Sequence, residues 1–201
     1  MPRPVRALLF DLDGTLTRPV LDFQRIRVDL GMPADAPSIL DWVNALADAT
    51  AMQLAHEVLH RHELLAAQAA EPNAGFDALV AWIAAAVPSV QVAVVTRNCR
   101  PASTITLERL RFAAQVVVTR EDATPKPAPD AILLALQQLG AAPDEAVMVG
   151  DYRDDIIAAR AAGVAHTVFV SNGDDSRDPA DASHIARDLA AVAAWLADGR
   201  W

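Results

Sequence analysis

Two aspartates set two residues apart, Asp11-Leu12-Asp13-Gly14-Thr15, stand directly after the apolar run Val5 to Phe10. One carboxylate in such a pair can attack phosphorus while the other moves protons, provided a turn re-aims the second; Gly14 permits that turn. Three further groups follow apolar runs in the same way: Thr96-Arg97-Asn98, Pro125-Lys126-Pro127, and Gly150-Asp151-Tyr152-Arg153-Asp154-Asp155. Together they offer carboxylates, one threonine hydroxyl and one ammonium. Phosphoryl transfer to a carboxylate needs an in-line nucleophile and cancellation of its repulsion with the phosphate dianion. Lys126 is the only lysine among 17 basic residues, so a compact ammonium stands there in a chain that otherwise uses arginine. Thr96 can donate its hydroxyl to a phosphate oxygen, helped by the N–H groups of Arg97 and Asn98 if these open a helix.

These residues need a scaffold that collects strand ends at one edge. Val5 to Phe10, Val90 to Val95, Gln115 to Val118, Ala146 to Val149 and His166 to Val170 read as buried strands. Leu107 to Phe112, Ala131 to Leu139, Ile156 to Ala162 and Ile185 to Leu196 carry helical periodicity, with Asp130 and Ser183 as expected N-caps. Strand and helix alternate from about residue 76 onward, which predicts an α/β fold: a Rossmann-like parallel five-stranded sheet with helices on both faces. Ligands of such sheets bind beyond the carboxyl ends of the strands. The interval between the first two strands, roughly 75 residues, is too long for a crossover. It predicts an inserted all-helical domain over 17–75, with Ile39 to Ala47 and Ala51 to Ala67 as helices, between core segments 1–16 and 76–201. Phe76 to Ala86 reads as the core helix that leads back to the sheet.

In these motifs the chain resembles the haloacid dehalogenase superfamily, and within it phosphatases similar to phosphoglycolate phosphatase. The resemblance rests on Asp-x-Asp-Gly-Thr at 11 to 15, Thr96, Lys-Pro-x-Pro-Asp at 126 to 130, and Gly-Asp-x-x-x-Asp at 150 to 155, in order. It implies a magnesium-dependent phosphomonoesterase with a phospho-aspartyl intermediate on Asp11 and Asp13 as general acid and base. Thr96, Lys126 and the backbone of Arg97 and Asn98 would bind phosphate. Asp11, the carbonyl of Asp13, and Asp151 would hold Mg2+, with Asp155 orienting a metal-bound water or pairing with Lys126; Asp154 competes for that last role. The inserted helices would form a cap over the site. A phosphosugar mutase on the same scaffold is the alternative; a catalytically silent binding protein is disfavoured because every catalytic position is filled, and Asp13 disfavours the dehalogenase and phosphonate-cleaving branches.

His56-Glu57-Val58-Leu59-His60 matches the zinc-protease pattern His-Glu-x-x-His, but Glu63 and Ala66 stand where its extended form needs glycine and histidine. A polar helix face, or basic residues from Arg25, Arg27, His56, His60, Arg61 and His62 turned toward the cleft, are the other readings. The 53% hydrophobic content supports one substantial core, and a net charge of -9 argues against nucleic acid or anionic membrane as partner. Cys99 is the single cysteine, which suits the cytoplasm. No run reaches the roughly 20 apolar residues of a membrane span. The expected partner is a small phosphorylated metabolite, and the expected state a monomer or homodimer.

Overall fold

The computed structural model describes residues 5–36, 38–86, 89–174 and 176–199. Its centre is a parallel sheet of six strands: β1 (Ala7–Phe10), β2 (Gln91–Val95), β3 (Val116–Val118), β4 (Ala146–Gly150), β5 (His166–Val170) and β6 (His184–Ala186), in the order β3-β2-β1-β4-β5-β6. β1 lies in the middle, paired with β2 through Leu8↔Val92 and with β4 through Leu8↔Val147. Its alternate residues enter different cores, as the two-residue period of a strand dictates. Leu8 and Phe10 join Val94, Val149 and Val170 under α4 (Phe76–Ala86) and α8 (Leu189–Asp198). Ala7 and Leu9 join Val95 and Met148 under α6 (Asp130–Leu139) and α7 (Arg153–Ala161). With both faces covered, the strands read as continuous apolar runs.

The sixth strand corrects the expected five. Ile185 starts no helix; it lies in β6, where His184 pairs with Val168 and Ala186 with Val170. Ser183, the expected cap, instead accepts from the Thr167 N–H at 3.2 Å and donates its own N–H to Thr167 Oγ1 at 3.0 Å. Asp188 caps α8 by accepting from Ala191 N at 2.9 Å. A three-residue edge strand running into a helix has too little periodicity to separate the two. Asp130 is also inside its helix rather than capping it, and there its charge complements the helix N-terminus. α5 spans Arg100–Leu110, earlier than its periodicity placed it, because Pro101 fits the first turn of a helix. The chain leaves α5 through left-handed Arg111, and Phe112 packs edge-on against Phe10 with ring centroids 6.0 Å apart.

Between β1 and α4 the chain forms α1 (Phe23–Asp29), α2 (Ile39–Asn44) and α3 (Ala49–Ala69). α1 was not evident from periodicity, since Arg and Asp interrupt its short apolar face. Asp48 caps α3 by accepting from Thr50 N at 3.0 Å. These helices share a small core of Ile26, Leu40, Val43, Ala55 and Leu59. The two connections run side by side: Thr17 bridges Pro72, Arg18 N donates to Glu71 O and Asn73 N to Leu16 O, both at 3.0 Å. α3 continues onto α5, where Ala67, Cys99 and Ala102 pack together.

Candidate active site

At the carboxyl end of β1 the backbone leaves the sheet at Asp11 and turns through Leu12–Leu16, with Gly14 at φ 85°. A β-carbon on Gly14 would lie 2.5 Å from Asp151 Oδ2, so glycine is required both by the turn and by the approach of β4's carboxylate. Thr15 Oγ1 donates to Asp151 Oδ1 at 2.9 Å and joins the two strand ends.

Lys126 is buried at the centre. Its Nζ donates to Asp11 Oδ1 at 2.6 Å, Asp155 Oδ1 at 2.5 Å and Val95 O at 2.7 Å. The ammonium therefore ties the ends of β1, β2 and the start of α7 together. Asp155 Oδ2 accepts from Tyr152 N at 3.0 Å. Gly150 makes room for it, since a β-carbon there would meet Asp155 Oδ2 at 2.3 Å. Asp154 turns elsewhere and pairs with Arg97 Nη1 at 2.8 Å. Of the two carboxylates, it is Asp155 that reaches Lys126.

Asp11, Asp151 and Asp155 offer ligand atoms all within 4.8 Å of one another. Among the described residues no other group of three His, Cys, Asp or Glu side chains gathers this way, and His56 and His60 are not in it. Three buried carboxylates face two cations, Lys126 and Arg177, the latter 3.0 Å from Asp151 Oδ2. Burial and this excess of negative charge both favour the protonated carboxyls. Burial first, then the charges of Asp155 and Asp151, raise Asp11 to about 8 against the pull of Lys126. Burial and the charge of Asp155 raise Asp151, opposed by Arg177 and Thr15. Lys126 is itself held above its ordinary value, because the charges of Asp11 and Asp155 outweigh the cost of its burial. An all-oxygen, net-negative, buried set of this kind suits a hard divalent cation.

Asp13 lies beside the cluster. Burial, then the charge of Asp151, raise it to about 6, while Thr17 Oγ1 donates to it at 3.3 Å. Near neutral pH both of its protonation states are accessible. Thr96 is buried at the end of β2, and its Oγ1 accepts from Asn98 N at 3.1 Å. That differs from the expected helix opening: α5 begins at Arg100, and the Asn98 N–H is turned back onto Thr96. The Arg97 side chain spans outward, donating to Asp154 and, at 3.1 Å, to Ser38 Oγ at the start of α2.

Several residues here carried no sequence signature. Asn73 Nδ2 donates to Gly14 O at 3.0 Å, Thr15 O at 2.9 Å and Asn172 Oδ1 at 3.0 Å, and Asn172 Nδ2 donates to Gly14 O at 2.8 Å. The two amides clamp the turn that carries Asp13. Asn73 reads in sequence only as part of a turn, Pro72-Asn73-Ala74-Gly75. Glu63 and Arg120 form a buried ion pair across α3 and the loop after β3, and Glu63 Oε2 also accepts from Cys99 N at 2.9 Å. Arg177 lies in a long loop after β5, with no pattern to single it out.

A model of haloacid dehalogenase-like hydrolases matches residues 39–169, which hold Thr96, Lys126, Asp151 and Asp155. The chain is 30% identical over 175 residues to an uncharacterized hydrolase of Saccharomyces cerevisiae, covering 84% of this chain and 78% of that one. It is 32% identical over 180 residues to an N-acetylmuramic acid 6-phosphate phosphatase of Pseudomonas aeruginosa, with 79% of each chain covered. To phosphoglycolate phosphatase 1 of the same organism it is 29% identical over 184 residues, 79% of this chain and 67% of the other. The fold is shared with a hydrolase from Pseudomonas syringae at a TM-score of 0.77 and 22% identity, over 96% of this chain and 98% of that one. The α/β core with a carboxylate cluster at its strand ends is thus that of a hydrolase. The chain belongs to the haloacid dehalogenase-like hydrolase family.

Proposed function

We propose that the protein is a magnesium-dependent phosphatase that hydrolyses a small phosphomonoester through a phospho-aspartyl intermediate on Asp11. The observation that carries this reading is the Lys126 ammonium bound at once to Asp11 and Asp155, beside Asp13 with its raised carboxyl. Asp11 and Asp151, with the carbonyl of Asp13, would hold Mg2+, and Asp155 would keep Lys126 against the site. The ion supplies the positive charge that offsets repulsion between the nucleophile and the phosphate when it is bound.

Asp11, in the carboxylate form that the Lys126 ammonium and a bound cation would favour by displacing its proton to solvent, attacks phosphorus as the bond to the leaving oxygen breaks, and Asp13 in its acid form delivers a proton to that oxygen. Asp13, now a carboxylate, takes a proton from the water that attacks the phospho-aspartate, and inorganic phosphate leaves with Asp11 restored. The Thr96 hydroxyl would hold a phosphoryl oxygen, while Lys126, its three N–H groups engaged by Asp11, Asp155 and Val95 O, would offset the phosphoryl charge from beside Asp11. The helices over 17–75 serve as a cap that excludes water and reads the leaving group, with Arg97 reaching from the core to Ser38. Relatives named for phosphoglycolate and for a sugar 6-phosphate support a small phosphorylated metabolite as substrate. No helix among the described residues is long and apolar enough to cross a membrane, and with one buried cysteine this supports a cytoplasmic enzyme.

The test is hydrolysis of p-nitrophenyl phosphate and a panel of phosphorylated metabolites with Mg2+. Phosphate release that is abolished by Asp11→Asn and reversibly by EDTA is expected. Full activity in that variant would overturn the reading, and transfer of phosphate between sugar positions without release would favour the mutase.

A further inference from the structure

The turn Thr96-Arg97-Asn98-Cys99 joins β2 to α5, and two of its peptide units are held from outside by one buried ion pair. Glu63 comes from α3 in the inserted segment, and Arg120 from the loop after β3; their side chains are 7% and 9% exposed. Arg120 Nη1 donates to Glu63 Oε1 and also, at 3.1 Å, to the carbonyl of Arg97. Glu63 Oε2 accepts from Cys99 N at 2.9 Å.

The Arg97 carbonyl and the Asn98 N–H belong to the same planar trans peptide, so they point to opposite sides of it. Fixing the carbonyl on Arg120 therefore aims the N–H, and that N–H is the one Thr96 Oγ1 accepts, at 3.1 Å. A hydroxyl that accepts there keeps its own O–H free to donate elsewhere. The next peptide is fixed from the other half of the pair, because Glu63 holds the Cys99 N–H. Cys99 is the N-cap residue of α5, so this N–H lies ahead of the helix's own ladder. Against apolar residues of equal volume a buried ion pair is close to neutral for stability. Its two bonds to the backbone of the turn are what apolar residues could not supply.

We infer that Glu63 and Arg120 are positioning residues of the phosphate site. By fixing the two peptide units between Arg97 and Cys99, they leave the Thr96 hydroxyl free to donate to a phosphoryl oxygen. The inserted segment thus supplies part of the frame of the phosphate site as well as its cover. This rests on the phosphatase reading given above and adds to it two residues outside the carboxylate cluster.

The probe is inorganic phosphate, its Kd measured by titration calorimetry with Mg2+. Glu63→Gln together with Arg120→Met removes both charges at similar volume and takes the donor from the Arg97 carbonyl; Kd is expected to rise about tenfold. Leu196→Ala empties a buried site on α8, on the other face of the sheet from α6 and α7, and is the comparison for a purely structural loss. It should lower Tm and leave Kd within about twofold of the parent. In a Thr96→Val background the paired replacement should change Kd by less than about threefold, since the hydroxyl it acts through is gone. Glu63→Gln alone keeps the shape and an acceptor; a rise of about threefold is expected, and it carries the test where the paired replacement does not fold. An unchanged Kd in these variants, a full tenfold loss persisting with Thr96→Val, or an equal rise in Leu196→Ala would overturn the inference, while turnover of p-nitrophenyl phosphate by the parent left the phosphatase reading intact. No such turnover by the parent would overturn both.

Discussion

Lys126→Met removes the ammonium that three acceptors share and leaves a side chain of similar length. In the parent the Lys126 side chain is 2% exposed, and its contacts at 2.5 to 2.7 Å are in the range of charge-assisted bonds. Removing one partner of a buried ion pair costs about 3–5 kcal/mol, because the remaining charge is left without compensation. For a chain of this size about 2–4 °C follows from each kcal/mol, so a fall in Tm of roughly 6–20 °C is expected. The pH dependence is a second constraint. Asp11 sits at about 8 when folded, against an ordinary 3.8, so between those values the folded chain keeps a proton that the unfolded chain has released. Stability from this group is therefore lost as pH rises through that window. Without Lys126 the Asp11 carboxyl moves higher still and the window extends above about pH 8, so the variant's deficit should be larger near about pH 9.5 than near about pH 6. Calorimetric scans of EDTA-treated parent and variant at both pH values provide the measurement. A variant within about 1 kcal/mol of the parent at both, or a deficit that grows on acidification, would refute the reasoning.

Gly150→Ala places a β-carbon 2.3 Å from Asp155 Oδ2; displacement of Asp155 should cost about 1–3 kcal/mol of stability and at least about tenfold in kcat, read from denaturant melts and steady-state assays. Cys99 is buried, and burial pushes its thiol up to about 12, so it should resist iodoacetamide at neutral pH in the native protein and react fully in denaturant. Glu63→Ala leaves Arg120 uncompensated and the Cys99 N–H without its acceptor; a loss of about 3–5 kcal/mol is expected. Arg120→Ala added to it should cost far less than on its own, and additive losses in the double-mutant cycle would show that the pair is not coupled.

The sheet and the cluster were legible because each chemical group follows a buried apolar run, and a parallel sheet brings all such ends to one edge. Asp11 and Asp151 needed only that rule, whereas Lys126 stands well beyond the end of β3 at Val118 and was singled out by its motif. Local pattern could not show which way a side chain turns: whether Asp154 or Asp155 meets Lys126 is decided by the start of α7 and by the space at Gly150. β6 escaped because three residues are too few for a period, and because the following helix made Ile185 look helical. Asn73, Asn172 and Arg177 act across 58 to 158 positions and 26 positions of chain, through contacts that leave no local trace. His56 and His60 had a motif, but α3 directs them to a cleft wall beside Glu57, away from any gathered ligand set among the described residues.

The proposed mechanism makes Asp11 the nucleophile. The direct measurement is rapid acid quenching of the enzyme during turnover with Mg2+, followed by mass spectrometry of the peptide that contains Asp11 and Asp13. One phosphoryl group is expected on Asp11, absent from Asp11→Asn and accumulating when Asp13→Asn or Asp13→Ala slows attack by water. Release of phosphate at full rate with that peptide unmodified throughout would contradict it.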